Sequence, residues 1–283
     1  MISLARAKLN LLEEVEPIFV VSPTARCGTT LVQRLLNSSR EMIIFGEEAL
    51  IYKELPEILS HLLDRLRFQE KEIAETRRKF KEETTEFWSN ALLPSSEEFL
   101  EAGRRWLLET VQVCEKSAKD FNCDRWGFKF PLQHHESVSI YKKFLPKARF
   151  IYIYRNLIDI AKSFKARKWF NGSKDIAKLA YRWKQNQIAA FKEKDRNFLF
   201  LRYEDLVSQP RKIIPILENF ARIEGIRLEV MDKKINTWPG KGEGHSPNSY
   251  VSPEELKEDE IQLLEKVSNR FFQEAESLSD FRA

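Results

Sequence analysis

The sequence predicts an α/β protein in which one central parallel β-sheet is flanked by helices. Three observations predict it. Short apolar runs rich in β-branched and aromatic residues recur at 18–22, 42–45, 127–130, 149–154 and 197–202. Two of them, RFIYIY and NFLFLR, are apolar through their middles, as strands covered on both faces are. Between successive runs lie segments of helical length, and a β-α-β-α order favours parallel pairing through crossover helices.

Taken in order, the first strand runs into SPTARCGTT, 22–30, where Gly28 permits a turn and Thr29 opens a helix expected over 29–38. MIIF is the second strand, followed by a helix over 47–63. A long helix at 95–121 leads to the third strand, and a short one at 136–144 leads to the fourth. Helices at 157–168 and 175–194 connect the fourth and fifth strands; two more, at 210–224 and 253–278, complete the chain. The stretch 65–86, RLRFQEKEIAETRRKFKEETTE, carries both signs densely. That pattern suits a solvated surface helix with paired charges, or a lid or dimerisation element. At 283 residues, with no internal repeat or low-complexity tract, the chain is expected to form a single domain over 1–283.

Composition narrows the function. Hydrophobic residues make up 42% and aromatics 12%, enough for a packed core. Lysine and arginine exceed aspartate and glutamate by 47 to 43, a net +4. So small an excess argues against a nucleic-acid or membrane-surface partner and suits a cleft for one small polyanion. The three cysteines, Cys27, Cys114 and Cys123, have neither metal-ligand nor disulfide-framework spacing, which suits reduced thiols in the cytoplasm. The opening MISLARAKLNLLEEVEP resembles neither a signal peptide nor a membrane span.

The 22–30 loop has the position of a phosphate-binding loop but not its full motif. A nucleoside-triphosphate loop reads G-x-x-x-x-G-K-[ST]. With Gly28 as its second glycine, Pro23 stands at the first and Thr29 at the lysine; only Thr30 fits. Helix N-terminal amides, the helix dipole and the charge of Arg26 still favour an anion there. An ordinary strand–helix turn with a capping threonine would read much the same. A second clue is YRNLIDIAKS, in which Arg155 ends a strand and Ser163 follows eight residues on. Eight helical steps of about 100° return to within about 80° of the start, so both side chains can face one ligand. An arginine fork and a hydroxyl suit a phosphate dianion; a surface arginine and a buried helix serine are the plainer reading.

Taken together, R-C-G-T-T-L at 26–31 and Y-R-N with its later serine resemble the sulfotransferase family, whose donor is 3′-phosphoadenosine-5′-phosphosulfate (PAPS) and whose product is 3′-phosphoadenosine-5′-phosphate (PAP). RYEDLVSQP at 202–210 and PGKGEG at 239–244 extend the resemblance over most of the chain. It implies the P-loop-NTPase-like sulfotransferase fold. It also implies donor contacts from Arg26, Cys27, Gly28, Thr29 and Thr30 to the 5′-phosphosulfate, and from Arg155, Ser163, Lys241 and Gly242 to the 3′-phosphate, with Tyr203 at the adenosine or simply packed in the core.

Within the family the pattern is similar to the protein-tyrosine branch and related bacterial enzymes, which carry arginine at the position of Arg26 and a G-E-E about twenty residues later. Here that is Gly46-Glu47-Glu48. The resemblance gives Glu48 the role of catalytic base. The interval is one residue longer than usual, which keeps Glu47 in play. Lys129, in Lys129-Phe130-Pro131, matches the family's K-x-P. Cys27 stands where serine is usual and Ala25 where proline is common; Cys27 is expected to serve through its backbone N–H.

Sulfuryl transfer parallels phosphoryl transfer in relying on positioning and electrostatics. The expected division of labour has Glu48 taking the acceptor's proton while Arg26 and Lys129 neutralise the sulfuryl oxygens. His134 and His135 are rival bases. No metal is expected. Trp169, Phe170, Trp88 and Tyr52 could line an acceptor cleft or belong to the core. A small-molecule hydroxyl or amine is the expected acceptor, a tyrosine peptide the next. A homodimer stays open. A P-loop small-molecule kinase is disfavoured by Thr29 in the lysine position, and a non-catalytic nucleotide binder leaves Glu48 and Lys129 without a reason to sit there.

Overall fold

Every residue of the first strand, β1 (Ile18–Val21), is buried, because the strand lies at the centre of the sheet and is covered on both faces. The structure, a computed structural model, describes residues 14–47, 50–82, 91–93, 96–131, 137–170, 172–233 and 252–276. Four more strands, β2 (Met42–Phe45), β3 (Arg125–Phe130), β4 (Arg149–Tyr154) and β5 (Phe198–Arg202), join it in the order β2-β3-β1-β4-β5. All four pairings are parallel.

Successive side chains along these strands go to opposite faces. Phe19, Val21, Phe128, Phe130, Phe150 and Tyr152 build one core. There they meet α2 (Leu50–Phe68), α4 (Ser96–Asp120) and α5 (Ser137–Phe144). Its centre is aromatic: Phe19 lies 4.6 Å from Tyr141 and 5.3 Å from Phe150, ring centre to ring centre. Ile18, Val20, Ile44, Ile151 and Ile153 build the opposite core with Val32, Leu35 and Leu36 of α1 (Thr29–Ser38). A third apolar cluster joins α6 (Leu157–Ala166), α7 (Ser173–Lys192) and α10 (Glu258–Glu276) to Cys27.

The parallel sheet and its flanking helices agree with the expected fold class. The boundaries differ at several places. The helix expected over 47–63 begins at Leu50 and runs to Phe68. The charged stretch is not one helix: the backbone leaves helical geometry at Gln69 and α3 (Glu70–Lys81) starts afresh. In α3, Arg78 pairs with Glu75 and Glu82 on an exposed face, as a solvated helix does, and such pairs stabilise little. Two elements had no counterpart in the sequence reading: α8 (Tyr203–Ser208), directly ahead of α9 (Pro210–Ala221), and a 3₁₀ turn at Leu228–Met231. Among the described residues no helix is long and apolar enough to cross a membrane.

Strand order places the site. From β1 the chain leaves through α1 towards β2, on one side; from β4 it leaves through α6 and α7 towards β5, on the other. The carboxyl ends of β1 and β4 are neighbours whose connections diverge. In parallel sheets that divergence opens a crevice for a ligand.

Candidate active site

The loop after β1 turns into α1 through Gly28, which has φ 102°, in the left-handed region. A side chain there would be strained by the backbone alone. It would also collide: a β-carbon at 28 would lie 2.4 Å from Cδ2 of Tyr203. The Gly28 carbonyl accepts from the amides of Leu31 and Val32 at 2.9 and 3.2 Å, closing the first turn of α1. The amides at that end have no partner within their own helix, and no side chain caps them. Arg26, at φ 70°, also adopts the left-handed conformation, uncommon for a residue with a β-carbon.

Around this turn the residues singled out in the sequence form two groups. In the first, Arg26 Nε donates to Ser163 Oγ at 2.9 Å, across 137 residues of sequence. Arg155 Nη1 donates to the Arg26 carbonyl at 3.3 Å. The Arg155 guanidinium lies 4.5 Å above the Tyr203 ring, a cation–π contact. Its Nε is buried without a hydrogen-bond partner. Ser163 is buried on α6, a helix set at this angle by Asn156, whose side chain accepts from the amides of Ile158 and Asp159 at its start.

In the second group, Lys129 Nζ, at the end of β3, reaches Thr30 Oγ1 at 3.4 Å and Glu47 Oε2 at 3.5 Å. The lysine side chain is only 9% exposed. Both contacts are long for charge-assisted bonds, so the ammonium keeps capacity for an oxyanion. Ser22, fully buried, lies between the loop after β1 and the chain after β3: its hydroxyl is 2.7 Å from the Thr24 carbonyl and 2.8 Å from that of Pro131, and its one proton serves either.

The Cys27 thiol is fully buried among Leu157, Ile160 and Trp183, 3.6 Å from Thr24 Oγ1. Burial pushes its pKa up to about 11, against a smaller opposing pull from its contact with Thr24. Iodoacetamide at pH 8 should therefore spare Cys27 in the folded protein and label it only after unfolding; rapid labelling under native conditions would contradict this burial. Thr29 is buried, whereas Thr30 reaches the surface. Trp169 is half-exposed and packs edge-on against Phe164, as Phe170 does face-on, so both belong to the turn after α6.

Glu48, His134, His135, Trp88, Lys241, Gly242 and the Tyr52 side chain lie outside the described residues. Sequence reasoning missed Ser22 and Asn186. Ser22 opens the quoted 22–30 loop without being given a role there, and Asn186 belongs to no motif, marked only as one of two amides in the apolar stripe of its helix. Among the described residues, no three His, Cys, Asp or Glu side chains gather as a metal site requires.

Residues 17–226 match the sequence profile of the sulfotransferase family. No curated protein matches the chain in sequence. Among solved structures, the sulfotransferase domain of the Synechococcus PCC 7002 olefin synthase is similar at 16% identity and TM-score 0.47, over 90% of this chain and 94% of that one. Sulfotransferase STF9 from Mycobacterium avium is similar at 15% identity and TM-score 0.46, over 95% of this chain and 80% of that one. The sulfotransferase domain from the curacin biosynthetic pathway is similar at 14% identity and TM-score 0.46, over 89% and 97% of the two chains.

Proposed function

The chain belongs to the sulfotransferase family, and from that premise we propose that it moves a sulfuryl group from PAPS to a hydroxyl or amine of a small-molecule acceptor, with a carboxylate as base. One observation carries the reading: two cationic groups converge on the loop between β1 and α1, one of them beside a carboxylate.

The residues present fit such a donor. A buried Arg155 Nε without a partner and a buried Lys129 with two long contacts are the marks of a site built for anionic oxygens. Arg155, Ser163 and Arg26 form the clamp for the phosphate that takes no part in the reaction. The sequence alone shares Arg26 with the sulfuryl group; its bond to Ser163 favours the clamp. The first amides of α1, with Thr29 and Thr30, receive the 5′-phosphate.

The donor supplies a sulfuryl group on a phosphate oxygen that departs readily. Lys129 stands where negative charge grows on that oxygen and on the sulfuryl group. Glu47, 3.5 Å from Lys129, takes the acceptor's proton as the new bond to sulfur forms. Glu48 is the alternative base. The half-exposed Trp169 beside α6 offers aromatic surface to an apolar acceptor. A tyrosine peptide is the second acceptor class, favoured by Arg26 and by the Gly46-Glu47-Glu48 run.

Thermal denaturation with PAP tests the donor reading. PAP should raise Tm in a concentration-dependent way and ATP should not; stabilisation by ATP alone would overturn it. Transfer from sulfur-labelled PAPS into a metabolite extract or a tyrosine peptide then separates the acceptor classes. Replacing Arg155 by alanine should weaken PAP binding more than it slows the single-turnover rate at saturating donor, since the clamp engages a group that does not react. A large rate loss with donor affinity intact would refute the clamp.

A further inference from the structure

We infer that Asn186 is a positioning residue that holds the 22–28 loop in its anion-receiving shape from beneath. The inference rests on the reading above only for the identity of the ligand. The buried stripe of α7 runs through Ile176, Leu179, Ala180, Trp183 and Ala190, and is interrupted by two amides, Asn186 and Gln187. Both are nearly inaccessible, at 4% and 1%. Burying an amide is unfavourable unless its hydrogen bonds are restored inside. Asn186 restores one where it matters: Nδ2 donates to the Pro23 carbonyl at 2.7 Å, across 163 residues of sequence.

That carbonyl needs a donor. Pro23 is buried two residues past the end of β1, where the strand ladder has stopped, and a buried carbonyl without a partner is costly. Ser22 serves the next one, with its hydroxyl 2.7 Å from the Thr24 carbonyl. In a trans peptide the C=O and N–H point in opposite directions. Holding the carbonyls of Pro23 and Thr24 therefore also sets where the amides of Thr24 and Ala25 point. Asn186 points the first of these amides away from α7, and Ser22 orients the second. Asn186 itself lies outside every motif of the sequence, on α7.

The test compares Asn186→Leu with Gln187→Leu, whose lost Oε1 has no hydrogen-bond partner. Amide hydrogen exchange over 22–30 is measured on the free protein, and PAP affinity by calorimetry. Asn186→Leu should speed exchange in the loop by about tenfold or more and weaken PAP by a similar factor. Gln187→Leu should leave both within about twofold, because removing an unpartnered acceptor breaks no bond. Asn186→Asp removes the donor without changing volume and should behave as the leucine variant does, which guards against misfolding. Unchanged exchange in both Asn186 variants, or an equal rise in Gln187→Leu, would overturn the positioning role of Asn186. If exchange responds as expected while wild type binds no PAP, the role of Asn186 stands and the donor reading falls.

Discussion

Replacing Glu47 by glutamine is expected to lower kcat by about 10²–10⁴-fold, the range in which a general base contributes, while PAP affinity stays near wild type. Glutamine keeps the shape and removes the proton acceptor. The geometry behind the expectation is the position of the Glu47 carboxylate at the mouth of the loop, 3.5 Å from Lys129 and 28% exposed, so that an acceptor can reach it. Glu48→Gln is the internal control, since neighbouring side chains cannot both face one acceptor atom. A dead Glu48→Gln beside an active Glu47→Gln would move the base by one residue and leave the carboxylate mechanism intact. Two active glutamine variants beside a dead His134→Ala or His135→Ala would replace it with a histidine mechanism.

Lys129→Met is expected to cost about 10²–10³-fold in the single-turnover rate at saturating donor, the loss seen when one oriented electrostatic partner of a transition state is removed. Methionine is close in length and carries no charge, so the buried channel that the lysine stem occupies stays filled. Two effects add. The charge developing on the departing oxygen loses its neighbour, and Glu47 loses the cation that holds its carboxylate in place. A fall of less than about fivefold would reduce Lys129 to a structural partner of Glu47, because a charge aligned with the reacting group is worth far more.

Most of the fold was legible because its signals are local. Five apolar runs became five strands, and helical segments between them required parallel pairing. The break at Gln69 was not legible. Residues on both sides have good helical propensity, so no local signal marks the break. The helix at Tyr203–Ser208 was hidden because its six residues are too few to show a helical period.

By itself the sequence determined that a strand-to-helix turn with a glycine, an arginine and two threonines would exist, and that Arg155 would stand at a strand's end with Ser163 on the following helix; the strand itself stops one residue earlier, at Tyr154. These are properties of a few adjacent residues, set by steric limits on the backbone and by helical pitch. Only the tertiary structure decided which of these parts meet. It placed Arg26 against Ser163 rather than Lys129, brought Glu47 to Lys129, buried the Cys27 thiol among apolar side chains, and tied the loop to α7 through Asn186. Each of these joins residues far apart in the chain. Their meeting depends on the strand order β2-β3-β1-β4-β5, which closes long loops only when the whole sheet and its two cores form together.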